Sequence, residues 1–406
     1  MVHPERLALL AAIAAMTSLG VDMCLPAVPL LTHDLHASCG SGVLSSSLFM
    51  AGFACTPLLG GPLSDCIGRR RTLLMALGGF VLAAAGCALA TGLQVYLLFR
   101  FVQGSAIGIA TTLPLAIVGD LLSGKPARLL LSEVATLSSL LPVVAPLLGN
   151  VAIHAGGWRT LFAAQAAYGC LLLAFALAFK ETLPAEAQHP LHLLELACST
   201  GQLLRNRVLC TRALAFGMAF ACTFCFTAAS PLILISHMHL QRPAYALIFA
   251  VNSVGSLLGC ALSVALNRRG VSGARMIQCG LALAAVAATL GFVLQWGAQP
   301  VGVAFLPVAF CALFGFNLAA PSLQIEALDA VPQLRGTASG LLRGVFTLFN
   351  FGSSALLAML CSRWEARTEF FTGLCMAVLA TGACALYVLV RGRRPCREGL
   401  EEAVAQ

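Results

Sequence analysis

The sequence predicts an all-α membrane protein of twelve transmembrane helices in two six-helix bundles, with both termini in the cytoplasm. Three observations predict it. Of 406 residues, 59% are hydrophobic and only 10% charged, well below the roughly 25% of soluble domains, so lipid rather than water must face most of the surface. The apolar residues form long runs instead of the ten-residue alternation of a membrane barrel, and at 7% aromatic the chain lacks the residues for barrel girdles. Finally, Lys and Arg cluster between those runs, and they fall mostly on one side of the implied membrane.

At about 20 residues per span, the first six spans fall at residues 7–31, 41–61, 72–92, 94–121, 131–153 and 159–179. The second six fall at 208–235, 244–266, 275–297, 299–322, 337–361 and 368–390. The first run is too long for a signal-peptide core and is read as a retained helix. The stretch from Lys180 to Arg207 is the longest polar segment and carries Pro184 and Pro190. It divides the chain into a first bundle (1–185), a linker (186–207), a second bundle (208–390) and a tail (391–406), with linker and tail cytoplasmic. With the N-terminus inside, eighteen Lys and Arg lie on the inner side against four outside, which sets the orientation. The basic segments Ile67 to Thr72 and Leu266 to Gly270 follow the second span of each half, as in a two-bundle transporter. Thirty-eight glycines suit close helix packing in lipid.

Other classes fit poorly. The net charge of +8 reads as topology, not as a nucleic-acid footprint. Seventeen cysteines are scattered through apolar stretches, and the Cys222-x-x-Cys225 pair has no His or further Cys beside it, so no metal is expected. There is no G-x-x-x-x-G-K-[ST], H-E-x-x-H or G-x-S-x-G pattern, which argues against nucleotide-driven transport and against an enzyme, and no cofactor is implied.

Within LGVDMCLPA (Leu19 to Ala27), Asp22 is an acid inside an apolar run. A carboxylate at the centre of a span costs about 3 kcal/mol on insertion scales, so it is a functional candidate by default; the alternative is a residue near the lipid interface. The fourth span holds R-x-x-Q-G-x-x-x-G, with Arg100, Gln103, Gly104 and Gly108 on one face. Arg100 and Asp22 are read as the deep base and acid, each roughly 10 Å from the outer surface at about 1.5 Å rise per residue. That common depth predicts that they pair across the bundle. Snorkelling of Arg100 to the outer interface is the alternative. Candidate cavity residues are Gln103, Thr111, Asn252 and Asn317.

The loop GPLSDCIGRRRT, Gly61 to Thr72, resembles the signature loop of the major facilitator superfamily. Gly61, Leu63, Asp65, Gly68, Arg69 and Arg70 match it, whereas Cys66 stands where a basic residue is usual. The resemblance implies that Asp65 meets the start of the eleventh span and that an arginine of the loop pairs with an acid at the end of the fourth, here Asp120. LPVVAPLLGN, with Pro142, Pro146 and Gly149, partly resembles the antiporter motif of drug-exporting members. DMCLPA, GWRTLF (Gly157 to Phe162) and KETLP (Lys180 to Pro184) resemble the bicyclomycin and chloramphenicol resistance branch of the drug:proton antiporters, which usually has Tyr at the position of Cys24.

The resemblance implies a proton-coupled antiporter of the bacterial inner membrane that exports small amphipathic compounds by alternating access. Its partners would be a small-molecule substrate, protons and the bilayer, with a monomer expected and no nucleic acid. Asp22 and Arg100 would couple protons. If the deep acid and base cancel, neutral or weakly polar amphipathic cargo is favoured over dications. A metabolite transporter for a nucleoside, amino acid or sugar is the nearer rival, and a sensor or scaffold on a transporter fold the more distant one.

Overall fold

The computed structural model describes residues 4–122, 140–184, 193–296, 305–331, 335–364 and 367–391, with isolated positions at 126, 130, 133, 134 and 137. The regular structure found there is helical throughout, as lipid demands of backbone groups that have no water to bond. The first half comprises α1 (Pro4–Val21), α2 (Val28–Asp34), α3 (Cys39–Cys55), α4 (Pro57–Ile67), α5 (Arg69–Leu89), α6 (Leu93–Ala110), α7 (Leu113–Leu121), α8 (Leu141–Gly156) and α9 (Trp158–Ala178). A further helix, α10 (Leu193–Arg205), precedes the second half. That half comprises α11 (Arg207–Pro231), α12 (Arg242–Arg268), α13 (Gly273–Trp296), α14 (Phe305–Asp329), α15 (Arg335–Arg363) and α16 (Thr368–Arg391).

Several spans are built from more than one helix, and proline accounts for the breaks. Between α1 and α2 the chain tightens into a 3-10 segment, Asp22–Ala27, with Pro26 inside it and Pro29 just beyond. Neither proline has an N–H to continue an α-helical ladder. The pair α3–α4 bends by 49° where Thr56 meets Pro57. Likewise α6 gives way to α7 at Thr111–Thr112, one residue ahead of the Leu113–Pro114 start. In the second half α11 ends at Pro231 and the chain continues as a wide π turn, Leu232–His237.

Among the described residues ten helical segments are long and apolar enough to cross a membrane, and the bent α3–α4 pair makes an eleventh. The count falls short of twelve at the fifth expected span, residues 131–153. Part of that span lies outside the described residues, and its described remainder is α8, 16 residues long. The expected tail lies almost wholly outside the described residues, whereas of the expected linker residues 193–207 are described, most of them as α10.

The helices of each half pack chiefly on one another. The halves meet along two seams, α3 against α15 and α8 against α12. They also close at one end, where the 3-10 segment touches α11 and α12 and α2 touches the π turn. At the opposite end, which carries the Gly61–Arg71 loop, α4 rests on α15. Helix α6 lies tightly on α3: a methyl group added at Gly104 would collide with the Phe49 carbonyl, so the glycines of the fourth span provide the close approach that their spacing implies.

Candidate functional site

The centre of the first half is a buried polar network around the break in the first span. An α-helix leaves its last carbonyls without intrahelical donors, and those at the end of α1 are taken by side chains from two other spans. Arg100 Nη1 donates to the Gly20 carbonyl at 2.8 Å and to Gln103 Oε1 at 2.7 Å. Gln103 Nε2 donates to Gln165 Oε1 at 2.8 Å, and Gln165 Nε2 donates to the Leu19 carbonyl at 2.7 Å. Cys24 Sγ receives Gln165 Nε2 at 3.4 Å and Arg100 Nη1 at 3.8 Å. The Arg100 guanidinium also lies over the Phe49 and Phe162 rings, at 4.7 and 5.9 Å. Arg100 is 1% exposed and Gln103 and Gln165 are also buried. Gln103 is therefore a link in this network and not the wall of an open cavity.

The expected contact between Asp22 and Arg100 does not form: among the described residues no ion pair joins them. The reason lies in azimuth, not depth. Gly20 and Cys24, four residues apart, share the face that Arg100 approaches, and Asp22, two residues from each, points away from it. The half-buried Asp22 has the Ser18 hydroxyl as its polar neighbour. Tyr245, on α12 of the second half, lies within its electrostatic reach. Arg100 thus holds its charge with neutral acceptors and aromatic faces, while Asp22 turns towards the other half. Gln165 was missed by sequence reasoning; its only signal is that it is a lone amide in the apolar α9.

The prolines of α8 stand on the seam beside this segment. A methyl group at Gly149 would run into the Met23 backbone, so α8 presses directly on the 3-10 turn. Pro146 cannot donate to the carbonyl of Pro142, and Ser253 Oγ from α12 lies 3.4 Å from that oxygen. The GWRTLF segment ties the start of α9 to the end of the first span: Trp158 Nε1 donates to Asp34 Oδ2 at 2.9 Å.

A second cluster surrounds the Gly61–Arg71 loop. Gly68, at φ 95°, takes a backbone conformation that disfavours any side chain and turns the chain from α4 into α5. Arg69 Nε donates to Asp120 Oδ2 at 2.9 Å, and Arg69 Nη1 pairs with Asp65 Oδ1 at 2.5 Å. Glu181 supplies what sequence reasoning missed. Its carboxylate accepts the first backbone N–H groups of α5, from Arg69 at 2.9 Å and Arg70 at 3.1 Å, the favoured place for an anion on a helix. Thr182 Oγ1 donates to Asp120 Oδ2 at 3.1 Å, so the KETLP segment closes the cluster. Asp65 is engaged by Arg69, and no bond from it to the start of α15 occurs among the described residues. Gly61 and Leu63 lie on α4.

Asp22 and Arg100 are not the only charges inside spans. In the second half Arg212, 2% exposed, donates from Nε to Glu326 Oε2 at 2.9 Å and lies 4.3 Å from the Tyr387 ring centroid. Arg343 lies within the span Thr337–Arg363. The remaining cavity candidates bond mainly to their own helices. Thr111 Oγ1 donates to the Gly108 carbonyl, Asn252 Nδ2 to Ile248 and Asn317 Nδ2 to Leu313. The Asn317 side chain also packs beside Gly259 of α12, and Asn252 Oδ1 is buried without a partner.

Comparison with known proteins agrees with this arrangement. The MFS-type transporter YdgK of Bacillus subtilis (strain 168) is 30% identical over 261 residues, 63% of this chain and 65% of that protein. Multidrug resistance protein MdtL of Escherichia coli O9:H4 (strain HS) is 29% identical over 235 residues, 58% and 59% of the two chains. The matches thus span less than two thirds of these relatives' lengths. Among solved structures, the D-xylose-proton symporter superposes with a TM-score of 0.69 at 16% identity, covering 93% of this chain and 96% of that one. A peptide transporter POT superposes with a TM-score of 0.73 at 14% identity, covering 96% and 95%. At such identities the likeness is one of fold. The pattern of the Major Facilitator Superfamily matches residues 10–351; the chain is a multi-pass membrane protein and belongs to that superfamily of transporters.

Proposed function

We propose that this protein is a proton-coupled antiporter that exports small amphipathic compounds across a bacterial inner membrane by alternating access. In this reading it has twelve spans, cytoplasmic termini and a working monomer, divided as 1–185, 186–207, 208–390 and 391–406. The observation that carries the proposal is Asp22, a half-buried carboxylate at the break of the first span, turned to the half that must move relative to it. Similarity to a multidrug resistance protein supports drug cargo, and the motif resemblance supports the bicyclomycin and chloramphenicol resistance branch.

Protonation of Asp22 changes the charge at the contact between the 3-10 segment and α11 and α12, which biases the halves towards one arrangement; a ligand shifts an equilibrium only by binding its states differently. Substrate and proton then weaken each other's binding by the same factor. Arg100 holds the segment in register through Gly20 while Asp22 titrates. The Asp65–Arg69–Asp120–Glu181 cluster latches the opposite end. The test is chloramphenicol uptake into inverted vesicles driven by a pH gradient: wild type should accumulate it and Asp22→Asn should not. Equal accumulation by a well-expressed Asp22→Asn variant overturns the reading.

A further inference from the structure

The interior of α15 carries polar groups that the mechanism above does not use. Arg343 lies eight residues into the helix, about 12 Å from its start at 1.5 Å rise per residue, and inside the membrane-spanning segment. The residue is half-buried. Its side chain makes no ion pair with Asp or Glu and no hydrogen bond among the described residues, and its nitrogens are not among the sealed, unpartnered atoms. The guanidinium therefore opens onto space and not onto protein.

Helical geometry says which space. The lipid-facing positions of α15 are marked by exposed Leu348, Leu356 and Met359. At about 100° per residue, Arg343 lies about 140–160° around the helix from each of them, on the side towards the protein interior. The same geometry sets Thr347, Asn350 and Ser354 within about 40° of Arg343. Asn350 is 0% exposed, and both its amide nitrogen and its amide oxygen lack any partner. Thr347 and Ser354 satisfy themselves on helix carbonyls, leaving the guanidinium and the amide as the unfilled groups, about 10 Å apart along the helix. A buried amide with neither atom bonded is rare and calls for a missing partner. A planar guanidinium fork matches a carboxylate in two-point geometry.

We propose that Arg343 is a carboxylate-binding subsite on the interior face of α15, so that among amphipathic compounds of like body the protein prefers those that carry a carboxylate. The proposal rests on the reading of this protein as an exporter of amphipathic compounds and specifies one end of the cargo. It differs from the expectation of neutral cargo because that expectation needed Asp22 and Arg100 to cancel by contact.

The test is equilibrium binding of radiolabelled 2-naphthoate and of 2-naphthamide, which share a ring system, to purified protein in detergent. Wild type should prefer naphthoate by about tenfold, the scale of one good charge-assisted bidentate contact. Arg343→Gln should abolish the preference while leaving naphthamide binding within about twofold, and Arg343→Lys should keep part of it. Monodisperse elution of each variant guards against misfolding, and Arg343→Lys decides the matter if Arg343→Gln does not fold. An undiminished preference in the folded variants, a wild type that favours naphthamide, or no binding of naphthoate overturns the proposal. Asp22→Asn separates this from the antiport reading: it should still prefer naphthoate, and if it also retains pH-driven uptake, the antiport reading falls while the subsite stands.

Discussion

Ser253 Oγ on α12 lies 3.4 Å from the carbonyl oxygen of Pro142 on α8, so a hydroxyl of the second half reaches the acceptor that Pro146 has left open in the first. The same hydroxyl also lies 2.9 Å from its own helix at the Phe249 carbonyl, so the contact across the seam is a weak, switchable one. Interhelical hydrogen bonds of this kind are worth about 0.6 kcal/mol in membranes. Ser253→Ala should therefore shift the balance between the two arrangements of the halves by roughly threefold without unfolding the protein. Distance distributions between spin labels on α8 and α12 measure that shift; an unchanged distribution would remove this contact from the mechanism.

Because Arg100 binds Gly20 and Gln103 and not Asp22, the two residues should fail in different ways. Asp22→Asn is expected to fold as wild type and lose pH-driven uptake. Arg100→Lys should destabilise the protein instead, since a lysine cannot both stack on Phe49 and meet the two acceptors. Losing a charged hydrogen bond costs about 1.5–3 kcal/mol, readable as a lower unfolding temperature in detergent. If Arg100 mattered only as a counter-ion to Asp22, Arg100→Gln in an Asp22→Asn background would restore stability, and the geometry predicts that it does not.

The loop cluster should respond according to who caps whom. Glu181 accepts the first two N–H groups of α5, so Glu181→Gln keeps acceptor geometry with one oxygen and loses the charge favoured at that helix end, a change of about 0.3–1 kcal/mol. Asp120→Asn removes one of the two ionic partners of the buried Arg69 and leaves only Asp65, the costlier change because a buried charge is left short of compensation. The expected order of uptake rates in inverted vesicles is wild type, then Glu181→Gln, then Asp120→Asn. A reversal of the last two would place the working contact on Glu181.

The features legible in the sequence were those set by local spacing. Gly104 and Gly108 are four residues apart and turn one strip of α6 to α3. The common height of Asp22 and Arg100 was readable too, since Arg100 meets Gly20 and Cys24, the residues that flank Asp22. Azimuth was the missing step: Arg100 meets Gly20 and Cys24, and Asp22, two residues from each, points away from that face, which equal depth alone does not reveal. Gln165 and Glu181 reach partners 146 and 112 residues away, contacts that only tertiary packing decides. Arg212, four residues into the expected span 208–235, carries no spacing signal for its role: its burial against Glu326 and Tyr387 depends on how α11, α14 and α16 converge.

The close contact of α8 with the 3-10 segment supplies the sharpest steric test. Gly149 faces the Met23 backbone, and an added methyl group would overlap its carbonyl, a contact that neither helix can relieve by a side-chain rotation. Gly149→Ala must therefore push α8 away from the segment that carries Asp22, with overpacking costing about 1–3 kcal/mol. Gly61→Ala, at a position where an added methyl group meets nothing within 4 Å, serves as the control. If the segment moves against α8 during transport, Gly149→Ala should cut chloramphenicol uptake well below its effect on expression or unfolding temperature, while Gly61→Ala leaves stability unchanged. A Gly149→Ala variant that unfolds earlier yet transports at the wild-type rate per folded molecule would mean that this contact only holds the bundle together and takes no part in the motion.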